Sequence, residues 1–542
     1  MVENKGERAA RDAPPGDRVR LRTASAFAKL RRTSRRDKTV ALPLKWRGTG
    51  FPLPAFVLYD GVTMRIISSC FVFCMLGCAM AAPSVAANKS HDYAVVVSKR
   101  TFGDAGWRKV VEALVKKHGA TVVTFEADVE ETLAELRRQF PRYVCFVAPP
   151  AEAGRKFAGK VHRLTRRLDD DPYTDCFWGI LTGYDAANAL EIAEYCKPLT
   201  IHKTAAGTEV ALEMCEAGAW YSELEKNRAV RKEPGQAPVE WKGPDDTTRA
   251  LADLLTDYHA DLFITSGHAT EHDWRIGYAY RNGSFRCEKG RLYGLDTSGG
   301  RHPIESDNPK VYMPVGNCLM GHIDGPDAMA LAYMNSAGVK QMFGYTVPTS
   351  YGYAGWGCLD YFVEQPGRYT FAEAFFANDA ALIHRLATYF PELVNAEVDE
   401  NGATSAKIVV SDKAKAAGLT EEDGRWLLFD RDVVAFYGDP AWEARMAKMP
   451  TAWEQTLTEK KGVWTLEIKP NRGAKTFEPI STNGSQRGGR PIVEFLPHRI
   501  QSAQVLEGAE LNPVITDDFV LIPLPREYQK EYRVVFRAAR VK

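Results

Sequence analysis

Two short apolar runs end in residues that can do nucleophilic chemistry. Leu262-Phe263-Ile264 leads into Thr265-Ser266-Gly267-His268, and Val311-Tyr312-Met313-Pro314-Val315 leads into Gly316-Asn317-Cys318. Each run has the length of a buried strand and stops at a glycine turn. Ligands of open parallel sheets bind outside the carboxyl ends of the strands. If the two strands are neighbours, an imidazole and a thiol meet at one sheet edge. A thiol is nucleophilic as the thiolate, which a nearby base or cation favours. The pair therefore points to acyl transfer: Cys318 attacks a carbonyl and His268 carries the proton. The N–H groups of Cys318 and of Gly267 or Ala269 are the candidate oxyanion hole. A lone His or Cys at a strand end is commonly structural, but two such ends, each beside a glycine, weigh against that reading.

The elements that must position this pair are α/β in rhythm. Tyr93–Val97, Thr121–Phe125, Tyr143–Val147 and Phe177–Leu181 read as strands. Ala105–His118, Val129–Phe140 and Asp185–Tyr195 have helical spacing between them. This alternation predicts a parallel sheet covered by helices. A second α/β unit opens with a helix over Thr247–Tyr258, which feeds the strand before His268. Gly325-Pro326-Asp327 opens a further helix that Gly338 closes. Residues 398–424 are polar and read as a surface insertion. After Thr451 the pattern changes to short strands, Val463–Ile468, Pro491–Leu496, Phe519–Pro523 and Tyr532–Phe536, which predicts a small β-sandwich. The expected segments are 88–205 for an N-terminal α/β subdomain, 206–450 for a catalytic one and 451–542 for the β module.

A chain of 542 residues exceeds a single core. Its net charge of +1 argues against a dedicated nucleic-acid surface. Met64-Arg65 precedes an apolar stretch from Ile66 to Gly77, followed by small residues up to Val85-Ala86-Ala87. This is the pattern of a secretory signal peptide, and it is short for a transmembrane helix. The protein is thus expected to be exported, to the periplasm, the cell surface or the medium. Met75-Leu76-Gly77-Cys78 is similar to a bacterial lipobox, which makes a lipid on Cys78 the candidate membrane attachment. The basic extension 1–63 lacks periodicity and reads as lying outside the mature protein. Of the ten cysteines, seven follow the leader. An odd number in an exported chain leaves at least one free thiol, and Cys318 is the natural candidate.

The residues around the pair resemble the gingipain-like branch of the caspase-fold cysteine peptidases. That family carries its His in a Gly-His-Gly segment after one strand, with a Trp soon after, and its Cys after the next strand. Here the segments are Ser266-Gly267-His268-Ala269-Thr270-Glu271-His272-Asp273-Trp274 and Gly316-Asn317-Cys318-Leu319-Met320-Gly321. Ala269 stands where the family has its second glycine. Ala337–Thr346 looks like the family's next strand, and Phe436-Tyr437-Gly438-Asp439-Pro440-Ala441 is similar to its closing Gly-Asp-Pro segment. The resemblance spans roughly residues 90 to 445. It implies a caspase-like parallel-sheet sandwich with helices on both faces and an immunoglobulin-like C-terminal module. It implies an exported cysteine endopeptidase that acts on polypeptides through a thioester acyl-enzyme and needs no cofactor for the chemistry. In Tyr173-Thr174-Asp175-Cys176-Phe177-Trp178-Gly179, Asp175 matches the acid that orients the His, with a solvated strand-end carboxylate as the plainer reading. Calcium is common in the family, and Asp169-Asp170-Asp171 offers hard oxygen ligands for a structural ion.

Trp274, Tyr345, Tyr351, Tyr353 and Trp356 fall on loops beside the site and are candidates for a specificity pocket, with ordinary aromatic packing as the alternative. Two other functions compete. The first is a cell-surface binding protein on an inactive peptidase fold, which Ala269 favours. The second is a zinc hydrolase using His268, His272 and His322; Gly267 makes a helix bearing the first two a poor fit. No metal is therefore assigned to the catalytic site.

Overall fold

The computed structural model describes residues 92–399, 402–525 and 527–541. Residues 1–63, the leader expected over 64–87 and its Cys78 lie outside these residues. The described residues form one compact unit. At its centre is a twelve-stranded sheet. From edge to edge the strands are Thr121–Phe125, Tyr93–Ser98, Tyr143–Val147, Phe177–Leu181, Val434–Tyr437, Val339–Tyr345, Lys310–Pro314, Leu262–Thr265, Lys203–Ala206, Ala217–Tyr221, Arg228–Lys232 and Val239–Lys242. Near-continuous apolar runs make the inner strands: Tyr93–Ser98, Phe177–Leu181, Lys310–Pro314 and Val339–Tyr345 are buried throughout, as strands covered on both faces must be. Thr121–Phe125 alternates between exposed and buried residues and forms one edge.

Neighbours from Thr121–Phe125 to Val434–Tyr437 are all parallel. So are those from Val339–Tyr345 to Ala217–Tyr221. The two parallel blocks meet at an antiparallel seam, Val434–Tyr437 against Val339–Tyr345. The carboxyl ends of the second block therefore share an edge with the amino ends of the first. That single reversal decides which residues can meet at the site.

Local signals set the helices. Asp104 caps the helix Ala105–His118 by accepting from the N–H groups of Gly106 and Trp107, and Gly119 ends it in the left-handed region at φ 64°. A capping box of Thr370 and Glu373 starts the long buried helix Phe371–Tyr389. The expected helix Val129–Phe140 is instead a 3₁₀ turn, Val129–Thr132, followed by a short helix, Leu133–Gln139. In the expected insertion 398–424, described residues 402–411 are irregular and lead into the helices Asp412–Ala416 and Glu421–Asp430, the second running past the expected end; together these helices bury Ala414, Leu427 and Leu428.

The segment Gly438-Asp439-Pro440 turns back across the first block. The Gly438 carbonyl would lie 2.3 Å from a Cβ at position 179, so only glycine fits there. Buried Asp439 then accepts from Tyr93 Oη at 2.8 Å and bonds His118 Nε2 at 2.7 Å and Lys117 Nζ at 2.9 Å. Those partners hold its carboxyl well below the usual range, against the opposing effect of burial.

After residue 451 come two antiparallel sheets. One holds Trp453–Lys460, Val463–Pro470, Tyr532–Arg540 and Ile500–Glu507; the other holds Ile492–Phe495, Phe519–Ile522 and Val514–Ile515. Trp464, Leu466, Ile492, Ile522, Val534 and Phe536 form a core drawn from both. The module is less separate than its composition suggests. Val493, Phe519 and Leu521 join the large α/β core, and Phe495 packs edge-on against Phe177 at 4.9 Å.

Candidate functional site

The strands Leu262–Thr265 and Lys310–Pro314 are adjacent and parallel, with Thr265 opposite Pro314. Their carboxyl ends carry His268 and Cys318 to one edge. Between them stands Asn317, which is fully buried. Its Oδ1 accepts from Thr265 Oγ1 at 2.6 Å and its Nδ2 donates to the Gly267 carbonyl at 3.1 Å. The residue before the thiol is thus bonded to the residue before the imidazole.

The turn carrying Cys318 is fixed from the other side by the end of Val339–Tyr345. Leu319 N–H donates to the Val347 carbonyl and Gly321 N–H to that of Tyr345. Gly321 and Gly344 touch backbone to backbone; a Cβ on Gly321 would fall 2.1 Å from the Gly344 oxygen. Leu319, a residue with a branched side chain, sits at φ 58°, so the turn just after the thiol holds a strained conformation. Cys318 Sγ receives the Thr349 N–H at 3.3 Å and donates to the Thr349 carbonyl at 3.4 Å, so both polar groups of one residue hold the thiol in place.

His268 is exposed and makes no side-chain hydrogen bond among the described residues. Its ring stacks on Tyr278 with centroids 4.8 Å apart. Partial burial, and then the charge of Arg275, lower its pKa from the usual value. Gly267 adopts φ 93°. The N–H groups of Gly267 and Ala269 donate to no group among the described residues, so both remain available to an oxyanion. His268 offers its backbone carbonyl to Arg275 N–H at 2.9 Å.

Asp175 does not take the orienting role that the resemblance implies. It lies before Phe177–Leu181 in the first block, four strand spacings from Leu262–Thr265, or about 19 Å at the usual spacing. Its carboxylate accepts instead from the N–H groups of Leu168 at 2.7 Å and Asp169 at 3.3 Å. Burial, then Asp169, push its pKa up to about 10, so it is a neutral acid at pH 7.

The carboxylate beneath the His loop is Glu223, just past the strand Ala217–Tyr221. It is 5% exposed. It accepts from Ser266 Oγ at 2.5 Å and Thr208 Oγ1 at 3.0 Å, and its oxygen would lie 3.3 Å from a Cβ on Gly267. Its backbone carbonyl receives Ala279 N–H, next to the Tyr278 that stacks on His268. Burial raises its pKa despite the donors around it. The signal that points to it is the one that points to His268: a polar residue at a strand's carboxyl end.

The expected aromatic pocket divides. Trp274 is fully buried under the His loop, packed on Gly207, and donates Nε1–H to the Ser266 carbonyl at 2.8 Å. Tyr345 is equally buried and donates to Asp430 at 3.1 Å. Tyr353 is buried beneath Arg490, whose guanidinium lies 3.6 Å from the ring centroid. These three are supports, not pocket walls. Trp356 lies at the site: its ring is 2.8 Å from a Cβ built on Gly316, and it also meets Gly352 and Gly484. Tyr351 sits beside it and accepts through its carbonyl from Ser485 Oγ at 2.6 Å.

His268 and His272 share no helix, and the metal-like grouping here is Glu271, His272 and Asp324, within 4.8 Å of one another. His272 donates one ring N–H to the Asp327 carbonyl at 2.9 Å and the other to Asp324 at 3.0 Å. Burial opposes its charge, but the Asp327 carbonyl and the Asp324 and Glu271 carboxylates outweigh it and raise its pKa. Both ring nitrogens of His272 therefore face acceptors, an arrangement that favours the charged ring. A second group, Asp169, Asp171 and Asp517, offers only hard oxygens. Asp170 is not part of it. None of the seven cysteines after residue 87 is in a disulfide, and Cys145, Cys176, Cys215 and Cys358 are buried. Burial pushes the thiol of Cys215 up to about 11, whereas Cys318 is partly exposed.

No protein-family model matches this chain, nor does any curated protein or solved structure.

Proposed function

We propose that this chain is an exported cysteine endopeptidase of caspase-like fold, with an immunoglobulin-like C-terminal module, that hydrolyses polypeptides through a thioester on Cys318. The observation that carries the reading is the Asn317–Gly267 bond of 3.1 Å, which locks the turns bearing Cys318 and His268 together at adjacent strand ends. His268 takes the Cys318 thiol proton as the sulfur attacks the scissile carbonyl, and the oxyanion takes N–H groups from Gly267 or Ala269 and from Cys318. His268 passes that proton to the leaving amine, then draws one from the water that attacks the thioester and returns it to the Cys318 sulfur as the acid departs. The carboxylate that keeps the His loop in place is Glu223 through Ser266. Attachment through a lipid at Cys78 and a structural calcium at Asp169, Asp171 and Asp517 belong to the same proposal; nucleic acid does not.

Cys318→Ala should abolish peptide hydrolysis, and His268→Ala should reduce it by at least ~10²-fold. Labelling of Cys318 by a peptidyl acyloxymethyl ketone, read by mass spectrometry, should require both residues. Full activity in Cys318→Ala would refute the reading. Inert Cys318 together with no hydrolysis of a broad peptide library would assign the chain to the binding-protein alternative, which Ala269 favours. Loss of activity on chelation that zinc restores would assign it to a metal hydrolase.

A further inference from the structure

We propose that the segment Pro479–Arg490 of the C-terminal module is a built-in competitor for the substrate side-chain pocket beside Cys318 and His268, with Asn483 as the occupying group. The inference rests on the peptidase reading for what the pocket serves, and on geometry for what fills it.

The pocket has two carboxylates. Buried Glu223 takes hydrogen bonds from Thr208, Ser266 and, at 3.3 Å, Asn483 Nδ2. Glu209 takes one from Ser222 Oγ and one from the same Asn483 Nδ2 at 3.0 Å. Asn483 also donates to Thr208 Oγ1 at 2.8 Å. Neither carboxylate has a Lys, Arg or His within ion-pair distance among the described residues. One neutral amide therefore serves two acids. Glu223 is buried and Glu209 half-buried; a carboxylate withdrawn from water needs counter-charge, and an amide supplies only part of it. A guanidinium or ammonium on an aliphatic stem matches the site better than the asparagine that fills it. Ser266, bonded to Glu223, is two residues from His268, so a side chain entering here belongs to a residue within reach of Cys318.

The segment is built to release its tip while its ends stay attached. Ile480 and Ser481 N–H groups donate to Glu364, each at 3.1 Å. Arg487 pairs with Asp360 at 2.7 Å and with Glu364, and Gly488 N–H donates to Asp360 at 3.0 Å. Arg490 is buried and bonds Asn378 at 2.9 Å. Between these anchors the tip holds by fewer contacts: Asn483, the bond from Ser485 to Tyr351, and Gly484 pressed on the Trp356 ring. Gly484, Gly488 and Gly489 have positive φ, a region that glycine enters without steric cost.

The test uses the full chain carrying Cys318→Ala, with agmatine as the probe of cationic side chains. Hydrogen exchange should slow over residues 207–210 and 222–224 on adding agmatine and quicken over 482–488. Asn483→Ala and Asn483→Ser should each bind agmatine about fivefold or more tightly, because removing a competitor frees the competent fraction; Glu209→Gln should weaken binding. With Cys318 restored, Asn483→Ala should speed labelling by a lysyl acyloxymethyl ketone by a similar factor and leave iodoacetamide labelling unchanged. Unchanged or weaker agmatine binding in both Asn483 variants would overturn the proposal and make Asn483 a wall of the pocket. So would agmatine binding that leaves exchange over 482–488 unaltered. Release of the tip by agmatine with Cys318 inert to every directed probe would uphold the competitor and sink the peptidase reading instead.

Discussion

Asn317→Ala tests whether one side chain holds the reactive pair together. Asn317 is fully buried and makes two bonds across the site, from Thr265 Oγ1 and to the Gly267 carbonyl. Thr265 keeps a second partner in Tyr312 Oη at 2.8 Å, so its hydroxyl is not orphaned. The Gly267 carbonyl loses the Asn317 amide. Leaving a buried polar group unsatisfied costs about 1–3 kcal/mol, and the lost Thr265 bond adds about 1 kcal/mol. The total, roughly 2–4 kcal/mol, falls on the relative position of two turns more than on the core, which keeps every apolar contact of both strands. Since 1.36 kcal/mol in a barrier is tenfold in rate, loss of alignment should slow directed labelling of Cys318 by ~10–100-fold. Iodoacetamide needs no alignment and should react about as in the unaltered protein. Asn317→Asp should be at least as harmful, because a carboxylate would face the Gly267 carbonyl. Paired measurements of labelling rate and urea midpoint decide the matter. A wild-type directed rate in Asn317→Ala with an unmoved midpoint would refute the reasoning.

Three further outcomes follow from the same geometry. Arg275→Gln removes a charge that depresses His268, so the ionisation of His268, read by NMR titration or by the pH–rate profile, should move to higher pH; an unmoved value would exclude the Arg275 effect. Gly321→Ala places a Cβ against the Gly344 oxygen and should destabilise the fold by about 1–3 kcal/mol in urea while disturbing the Cys318 turn; a neutral effect would mean that the turn is free to shift. Burial and mutual repulsion raise Asp518 to about 6, Asp171 to about 7 and Asp175 to about 10, while Arg499, paired with Asp517, opposes the rise at Asp518. Raised carboxyls give stability that is complete below the unfolded value near pH 4 and lost as pH climbs through these values. In chelator the urea midpoint should therefore fall from about pH 5 to 8, and millimolar calcium should flatten that fall; parallel curves would exclude an ion at Asp169, Asp171 and Asp517.

Much of the fold is legible in local pattern. Ala105–His118, Thr121–Phe125, Tyr143–Val147 and Phe177–Leu181 have the bounds that their periodicity, caps and β-branched runs predict. The strands that pattern misses have physical reasons to be missed. Lys203–Ala206 is Lys-Thr-Ala-Ala, and Ala217–Tyr221 opens with Ala-Gly-Ala before its two aromatic residues, so neither carries a sustained apolar or β-branched run, yet they pair with each other at the far end of the second block. Arg228–Lys232 and Val239–Lys242 continue the sheet antiparallel, with Val239–Lys242 exposed along its length. A division of the α/β region at residue 205 falls inside Lys203–Ala206, and Val434–Tyr437 returns from late in the chain to pair with Phe177–Leu181.

The site follows the same rule. His268 and Cys318 are readable because each stands at the end of its own strand, where a short pattern carries the whole message. Asp175 misleads because its role depends on the order of strands, and the order that sets three strands between its strand and that of His268 leaves no local trace. Glu223 is missed for the converse reason: its strand is faint, but the sheet order puts that strand two places from Leu262–Thr265. Asn483 lies 260 residues from Glu223 and reaches it only because the module after residue 451 folds against the helix Tyr353–Phe362. The chemistry at this edge is therefore written at strand ends. Its electrostatics are written in tertiary order, where two uncompensated carboxylates and the amide that covers them come from three separate parts of the chain. A substitution that leaves every strand intact but unseats Pro479–Arg490 should change the pocket's preference for cations before it changes the fold, because the anchors at Asp360 and Glu364 carry the module and the tip carries the amide.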